Sequence, residues 1–195
     1  MSKIKSASDA NSVRGFTLLE MMVIVMIIGI LAAIAIPSYR RYAIMNAERE
    51  AQAKMLQLQV ELERWRARAL TYQGFKPQKL TTVSGTTTTT YAYDDSPTNK
   101  TIYVPNGSTA TNYRYKITLV DGTNTAKSLA PSASSTTTTV DSITGRSWKM
   151  LATPNTTGIT ANANHIVLAS RGLHCQNKTA VTLAATDCGS GQEEW

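Results

Sequence analysis

Hydrophobic positions along the chain fall into three regimes, and each predicts a different kind of element. From residue 16 to residue 36 they are continuous, and the 21 residues hold a single charge, Glu20. A helix of that length is about 31 Å long, close to the thickness of a bilayer's hydrocarbon core. Further on the apolar residues become periodic. Ile44, Ala47, Ala51, Met55, Leu58, Leu62, Trp65 and Ala69 recur at spacings of three and four, within an arc of about 80° on a helical wheel. One helix over residues 16–70, about 80 Å long, follows from the two regimes together. A second, weaker stripe of Ala53, Leu56, Val60 and Ala67 lies on the opposite face and offers a contact surface for another chain.

The third regime begins after residue 70. Residues 71–112 are rich in Thr, Ser, Gly and Asp and poor in core residues, which predicts a long loop with a short strand or turn at Thr101–Val104. Alternation then sets in. Tyr113, Tyr115, Ile117 and Leu119 share one face of a strand over 113–120, with a turn at Asp121 and Gly122. Residues 147–153 read as a strand stopped by Pro154, and residues 165–170 as a third stopped near Gly172, while 132–139 is another polar loop. Three or four antiparallel strands with one apolar face are what the helical stripe needs as a cover. The Ala-rich stripe suits a packed sheet better than a coiled-coil seam. The fold class is therefore α+β, a long amino-terminal helix packed on a small antiparallel sheet.

Several residues modify the helix. Pro37 lacks the N–H that would bond the Ala33 carbonyl, and Gly29 costs about 1 kcal/mol relative to Ala in a helix interior. The two mark a stretch where the helix is expected to kink or loosen. Glu50 before Lys54 and Glu61 before Arg64 predict surface pairs, and Arg64, Arg66 and Arg68 crowd the helix end that favours cations.

Charge and candidate chemistry change the picture chiefly at the amino terminus. The first fifteen residues carry Lys3, Lys5 and Arg14 against Asp9, which keeps them on the cytoplasmic side of a membrane. A cleaved secretory signal fits poorly: its apolar core is about 7–15 residues, and this run is longer and continues past Pro37 into Ser38-Tyr39-Arg40-Arg41-Tyr42, a segment with no Ala-x-Ala site. A plain anchor does not explain Glu20. A carboxylate within lipid costs on the order of 2.5–3.5 kcal/mol, more than the about 0.3–1 kcal/mol it gains from its own helix dipole. The remaining net charge of the chain, +7 overall, is spread without a concentrated basic patch.

Arg14-Gly15-Phe16-Thr17-Leu18-Leu19-Glu20 running into an apolar helix that ends Ile34-Ala35-Ile36-Pro37 resembles the class III signal of type IV pilins and type II secretion pseudopilins. The resemblance implies a leader, residues 1–15, removed by a prepilin peptidase that cuts between Gly15 and Phe16 and then N-methylates Phe16. It implies a membrane and assembly helix over 16–37, an amphipathic helix over 38–70 and a β head over 71–195. Glu20 would pair with the terminal amine of a neighbouring subunit, and the stretch from Gly29 to Pro37 would melt on packing into a fibre. The head segments around Tyr113, Trp148 and Ile166, with a Cys pair before the terminal Trp195, are similar to PilE-type type IVa minor pilins. The function implied is a structural minor pilin that helps initiate pilus assembly and supports twitching motility, adhesion and DNA uptake. Its partners would be the peptidase, other major and minor pilins and the inner membrane, which would hold the helix as a single pass with a periplasmic head before export to the fibre. Two alternatives share this amino terminus: a DNA-uptake receptor pilin of the ComP kind and a type II secretion pseudopilin. DNA contacts would come from Lys76, Lys79, Lys100, Arg114, Lys116, Lys127, Lys149 and Lys178, which look scattered.

Outside the cytoplasm Cys175 and Cys188 are expected to be oxidised to a disulfide, closing a loop of about fourteen residues worth about 3 kcal/mol in the chain-entropy model. A zinc site built from both thiols with His165 or His174 lacks a fourth ligand at the usual spacing, and a thiol nucleophile would be oxidised. Asp94 and Asp95 in a turn-rich loop read as solvated, since two acids fall far short of a calcium shell. No metal or cofactor is expected, and no phosphate loop or nucleophile elbow marks an enzyme. Replacing Gly15 by Trp is expected to leave the leader attached, seen as a corresponding excess in intact mass; normal processing of that variant would contradict the cleavage assignment.

Overall fold

The computed structural model describes residues 16–83, 85–96, 98–130 and 145–195. A single helix α1, Leu18–Ala69, passes through Gly29 and Pro37. The chain divides into two compact units, Met1–Arg40 and Arg41–Trp195, and α1 contributes to both. In the first unit every large apolar side chain from Phe16 to Ile36 is exposed. A helix that is hydrophobic all round and uncovered by its own chain requires lipid or other chains around it.

In the second unit α1 becomes one-sided. Ala47, Ala51, Met55, Leu58 and Leu62 are fully buried, whereas Leu56 and Val60 on the other face are about half exposed. Ile44 packs at the margin of this core, but Trp65 and Ala69 lie on the surface, so the stripe is buried for four turns and not six. Lys54 is buried too. It sits about 20° beyond the edge of the apolar arc at 100° per residue, close enough to be covered with it.

Seven strands follow: β1 (Gln78–Val83), β2 (Thr86–Tyr91), β3 (Thr101–Val104), β4 (Tyr115–Asp121), β5 (Trp148–Pro154), β6 (His165–Ala169) and β7 (His174–Asn177). The last five form an antiparallel sheet in sequence order, β3 to β7. In β4 the alternation holds: Tyr115, Ile117 and Leu119 are buried, with Lys116 and Thr118 half-buried on the reverse face. In β5 nearly every residue is buried. Its Trp148, Met150 and Ala152 join Ile166 and Leu168 in the core under α1. Leu151 and Val167 point the other way, into a second cluster with Cys175, Val181 and Cys188. The sheet is thus covered by the helix on one face and, over β5 and β6, by the segment between the cysteines on the other.

The region expected to be one long loop contains β1 and β2, a separate antiparallel hairpin in the register Gln78↔Tyr91 to Thr82↔Thr87. Threonine is β-branched and suits a pleated surface, and the Thr88 and Thr90 hydroxyls add bonds to the Thr81 and Lys79 carbonyls. Its side chains in β2 are all exposed, which is why no apolar alternation announces it. The polar loop expected at 132–139 lies outside the described residues.

Asp121 closes the end of β4. Its buried carboxylate accepts from the N–H groups of Thr123 and Asn124 at 2.8 Å and of Gly145 at 2.6 Å. Gly145 stands at φ +81°, and a Cβ there would meet Thr71 Oγ1 at 2.6 Å, so only glycine fits between Asp121 and the segment leaving α1. The two faces of α1 predict different costs of truncation. Leu58→Ala is expected to destabilise the detergent-solubilised chain by about 2–5 kcal/mol, and Val60→Ala by no more than about 1 kcal/mol, measured by denaturant titration followed through tryptophan fluorescence.

Candidate functional site

The amino-terminal end of α1 is built from Thr17 and Glu20. The Glu20 N–H donates to Thr17 Oγ1 at 3.2 Å and the Met21 N–H to the Thr17 carbonyl at 3.2 Å. Thr17 is therefore a helix cap that satisfies one of the unbonded donors of the first turn. Its signal, a Thr three residues before a Glu, is present in the sequence as a capping-box pattern. Because the Thr17 hydroxyl answers the backbone, the Glu20 carboxylate is not consumed by the cap, and it has no ion-pair partner among the described residues. Around it Leu18, Leu19 and Met22 are all well exposed. An 18-residue window of this helix has a mean hydropathy of 2.8, none of it buried within the chain. The arrangement presents one anion on an apolar cylinder, which favours a cationic partner once water is removed.

The other residues singled out from the sequence sit as follows. Gly15 lies outside the described residues, and Phe16 precedes the helix with 72% of its surface exposed. A side chain at Gly29 would meet nothing within 4 Å, so this glycine is not required by packing within the chain. Cys175 and Cys188 are buried and bonded to each other. Their loop is held from three sides: the Asn177 amide donates to the Cys188 and Ser190 carbonyls at 2.7 and 2.9 Å, Lys149 Nζ donates to the Ala185 carbonyl, and Gln176 pairs with Glu193. Burial lowers the Lys149 pKa from its ordinary value. With both sulfurs in the disulfide, neither is a thiolate that could join His165 or His174 on a metal ion. Among the described residues no group of three or more His, Cys, Asp or Glu is placed to hold a metal ion.

Asp94 and Asp95 are only partly exposed, and both are bonded within the head. Asp94 binds Lys79 at 2.5 Å and accepts from the Tyr103 N–H at 2.7 Å, while Asp95 accepts from the Lys100 and Thr101 N–H groups at 2.9 and 2.6 Å. The helix pairs also differ from expectation. Glu50 meets Arg114 at 3.7 Å in place of Lys54, and Glu61 accepts from Gln57 and from the Gln78 N–H in place of Arg64. Of the cations considered for DNA, Lys79, Lys100, Arg114 and Lys149 are engaged within the head.

Similarity to known proteins is confined to short segments. Residues 10–36 match the family model described as the prokaryotic N-terminal methylation motif. The chain is 50% identical over 42 residues to the type IV major pilin protein PilA of Myxococcus xanthus, covering 22% of this chain and 19% of that protein. It is 44% identical over 50 residues to the type IV major fimbrial protein FimA of Dichelobacter nodosus, covering 26% and 32%. It is 59% identical over 32 residues to a fimbrial protein of Moraxella nonliquefaciens, covering 16% and 21%. These matches thus span about a fifth to a third of the relatives' length, and no solved structure matches the chain.

His165 supplies a pH test of the head. Its Nδ1 is buried without a hydrogen-bond partner, and burial lowers its pKa below the ordinary 6.5, against a smaller opposing effect from the Asn177 backbone. The unfolded chain therefore takes up this proton more readily, and the contribution of His165 to stability is lost as pH falls below about 6.5. His165→Gln is expected to flatten the slope of stability against pH in that window, read from unfolding midpoints at successive pH values.

Proposed function

We propose, from the chain's membership of the type IV pilin superfamily through its amino-terminal segment, that it is a structural subunit of a type IV pilus. The observation that carries this reading is the unpartnered carboxylate of Glu20 on a helix that is apolar on all sides and uncovered by its own chain. Cleavage after Gly15 by a prepilin peptidase would create a positive amine on Phe16, next to be N-methylated, in the same apolar setting. Amine and carboxylate are each costly in lipid and less so when paired, so Glu20 of one subunit pairs with the amine of a neighbour. Before assembly the helix spans the inner membrane once with the head in the periplasm. Afterwards it packs among other pilins in the fibre, where Gly29 and Pro37 allow the helix between them to loosen.

Within that class we assign a minor subunit that primes assembly, supported by the likeness of the head segments to PilE-type minor pilins. Two of the three relatives named above are major subunits by name, so abundance is the discriminating quantity. A priming subunit is scarce in sheared fibres, and its deletion removes most fibres, with twitching, adhesion and DNA uptake falling as a consequence. A fibre composed mainly of this chain would make it a major subunit instead.

Glu20→Ala tests the pairing directly. The variant is expected to be processed and held in the membrane, yet to enter sheared fibres at least about tenfold less than the parent. Tenfold requires only about 1.4 kcal/mol, less than the cost of leaving the neighbour's amine unpaired in lipid. Equal incorporation would refute the pairing.

A further inference from the structure

Beside the last turns of α1 a cleft of about 610 Å³ opens between the helix, the 74–78 segment and the end of β2. Its surface is aromatic. Trp65 and Phe75 meet edge to face at 6.4 Å, and the Trp65 indole N–H is occupied by the Gln73 carbonyl at 3.1 Å. What Trp65 offers a ligand is therefore ring surface, not a donor. Tyr91, at the end of β2, is 66% exposed. The rim is cationic: Arg64 and Arg68, one helical turn apart, and Lys76. None of the three has an ion-pair or hydrogen-bond partner among the described residues. The one acid in the lining, Glu61, has both oxygens in use, accepting from Gln57 Nε2 at 2.8 Å and from the Gln78 N–H at 3.0 Å.

We propose that this cleft binds a short carboxylated oligosaccharide, with sugar faces against Trp65 and Tyr91 and carboxylates on Arg64, Arg68 and Lys76. A concave site of this size suits a ligand of a few rings. An arginine fork recognises a carboxylate through two parallel hydrogen bonds. The lining combines exposed ring surface with three cations, so a ligand that carries both apolar ring faces and anionic groups satisfies both at once. A nucleic-acid strand fits less well. It needs a continuous positive track, and beyond the cleft Lys79, Lys100, Arg114 and Lys149 are tied to groups of the head itself. The site is independent of the pairing at Glu20: the two involve different residues in different units of the chain.

The test is calorimetric titration of the detergent-solubilised full chain with trigalacturonate, using maltotriose as the uncharged analogue and an oligothymidylate as the nucleic-acid probe. The expected result is saturable one-site binding of trigalacturonate, no binding of maltotriose at the same concentration, and weakening by about tenfold or more in Arg68→Ala and in Lys76→Ala. Lys178→Ala, which removes an exposed cation in the disulfide loop outside the cleft lining, is expected to bind as the parent does. Unfolding midpoints of all three variants establish that the head is intact. Absence of saturable binding, equal binding of maltotriose, or insensitivity to both cleft substitutions would overturn the proposal. Tighter, Arg68-dependent binding of oligothymidylate would overturn it in favour of nucleic acid.

Discussion

Burial of one face of α1 under the sheet is the interaction on which the head depends. Ala47 and Ala51 have side chains short enough to bring the helix backbone close to the strands, and Met55, Leu58 and Leu62 then fill the space above Ile117, Met150 and Ile166. Fully burying each of these larger side chains stabilises by about 1.5–3 kcal/mol. Polar links fix the register once the apolar faces meet. Glu48 accepts from the Asn164 N–H at 2.8 Å, the Tyr115 hydroxyl donates to the Asn164 carbonyl at 2.8 Å, and the Gln52 amide donates to Gln176 Oε1 at 3.1 Å. The helix is thereby tied to β7 and to the residue that enters β6, which in turn holds β4, so the disulfide loop on the far face of β5 and β6 is attached to an already anchored sheet.

The same helix has no such cover upstream, and this sets the problem that the amino-terminal segment has to solve. A helix apolar on every side cannot remain in water, and an acid on it cannot remain alone in lipid. The Thr17 hydroxyl answers one of the backbone donors of the first turn. Had the Glu20 carboxylate been needed for that cap, its pairing outside the chain would compete with helix formation. With the cap on a neutral hydroxyl, charge pairing and helix initiation are separate, and Glu20 can act in assembly without loosening the turn that carries it.

Long-period features were legible in the sequence and short polar ones were not. The extent of α1, its buried stripe from Ala47 to Leu62 and the strands β4, β5 and β6 all follow from apolar periodicity, because each buries a face large enough to leave one. The hairpin β1–β2 has exposed threonines in place of such a face, so only β-propensity marked it. Strand β7 spans four residues, His174–Asn177, too few to show alternation. Lys54 was missed because a charged residue reads as solvent-facing, although its stem can cover apolar surface while its ammonium stays near Glu61 and Asp94. Asp121 could be read as a turn residue, but its contact with Gly145 joins positions 24 apart in sequence, and no local pattern encodes that.

The use made of the acids explains why the cleft stays cationic. Glu48, Glu61, Asp94, Asp95 and Asp121 each accept a hydrogen bond from a backbone N–H in a loop or at a strand end. A carboxylate answering a buried or half-buried donor stabilises more than one in an exposed ion pair, which contributes about 0–1 kcal/mol. The fold therefore draws these acids toward the backbone, and Arg64 loses Glu61, the partner that sequence spacing offers it. Arg66 is met by the Tyr72 hydroxyl at 3.1 Å, whereas Arg64 and Arg68, gathered at the helix end for reasons of the dipole, have no ion-pair partner among the described residues and leave a charge that an external anion can answer.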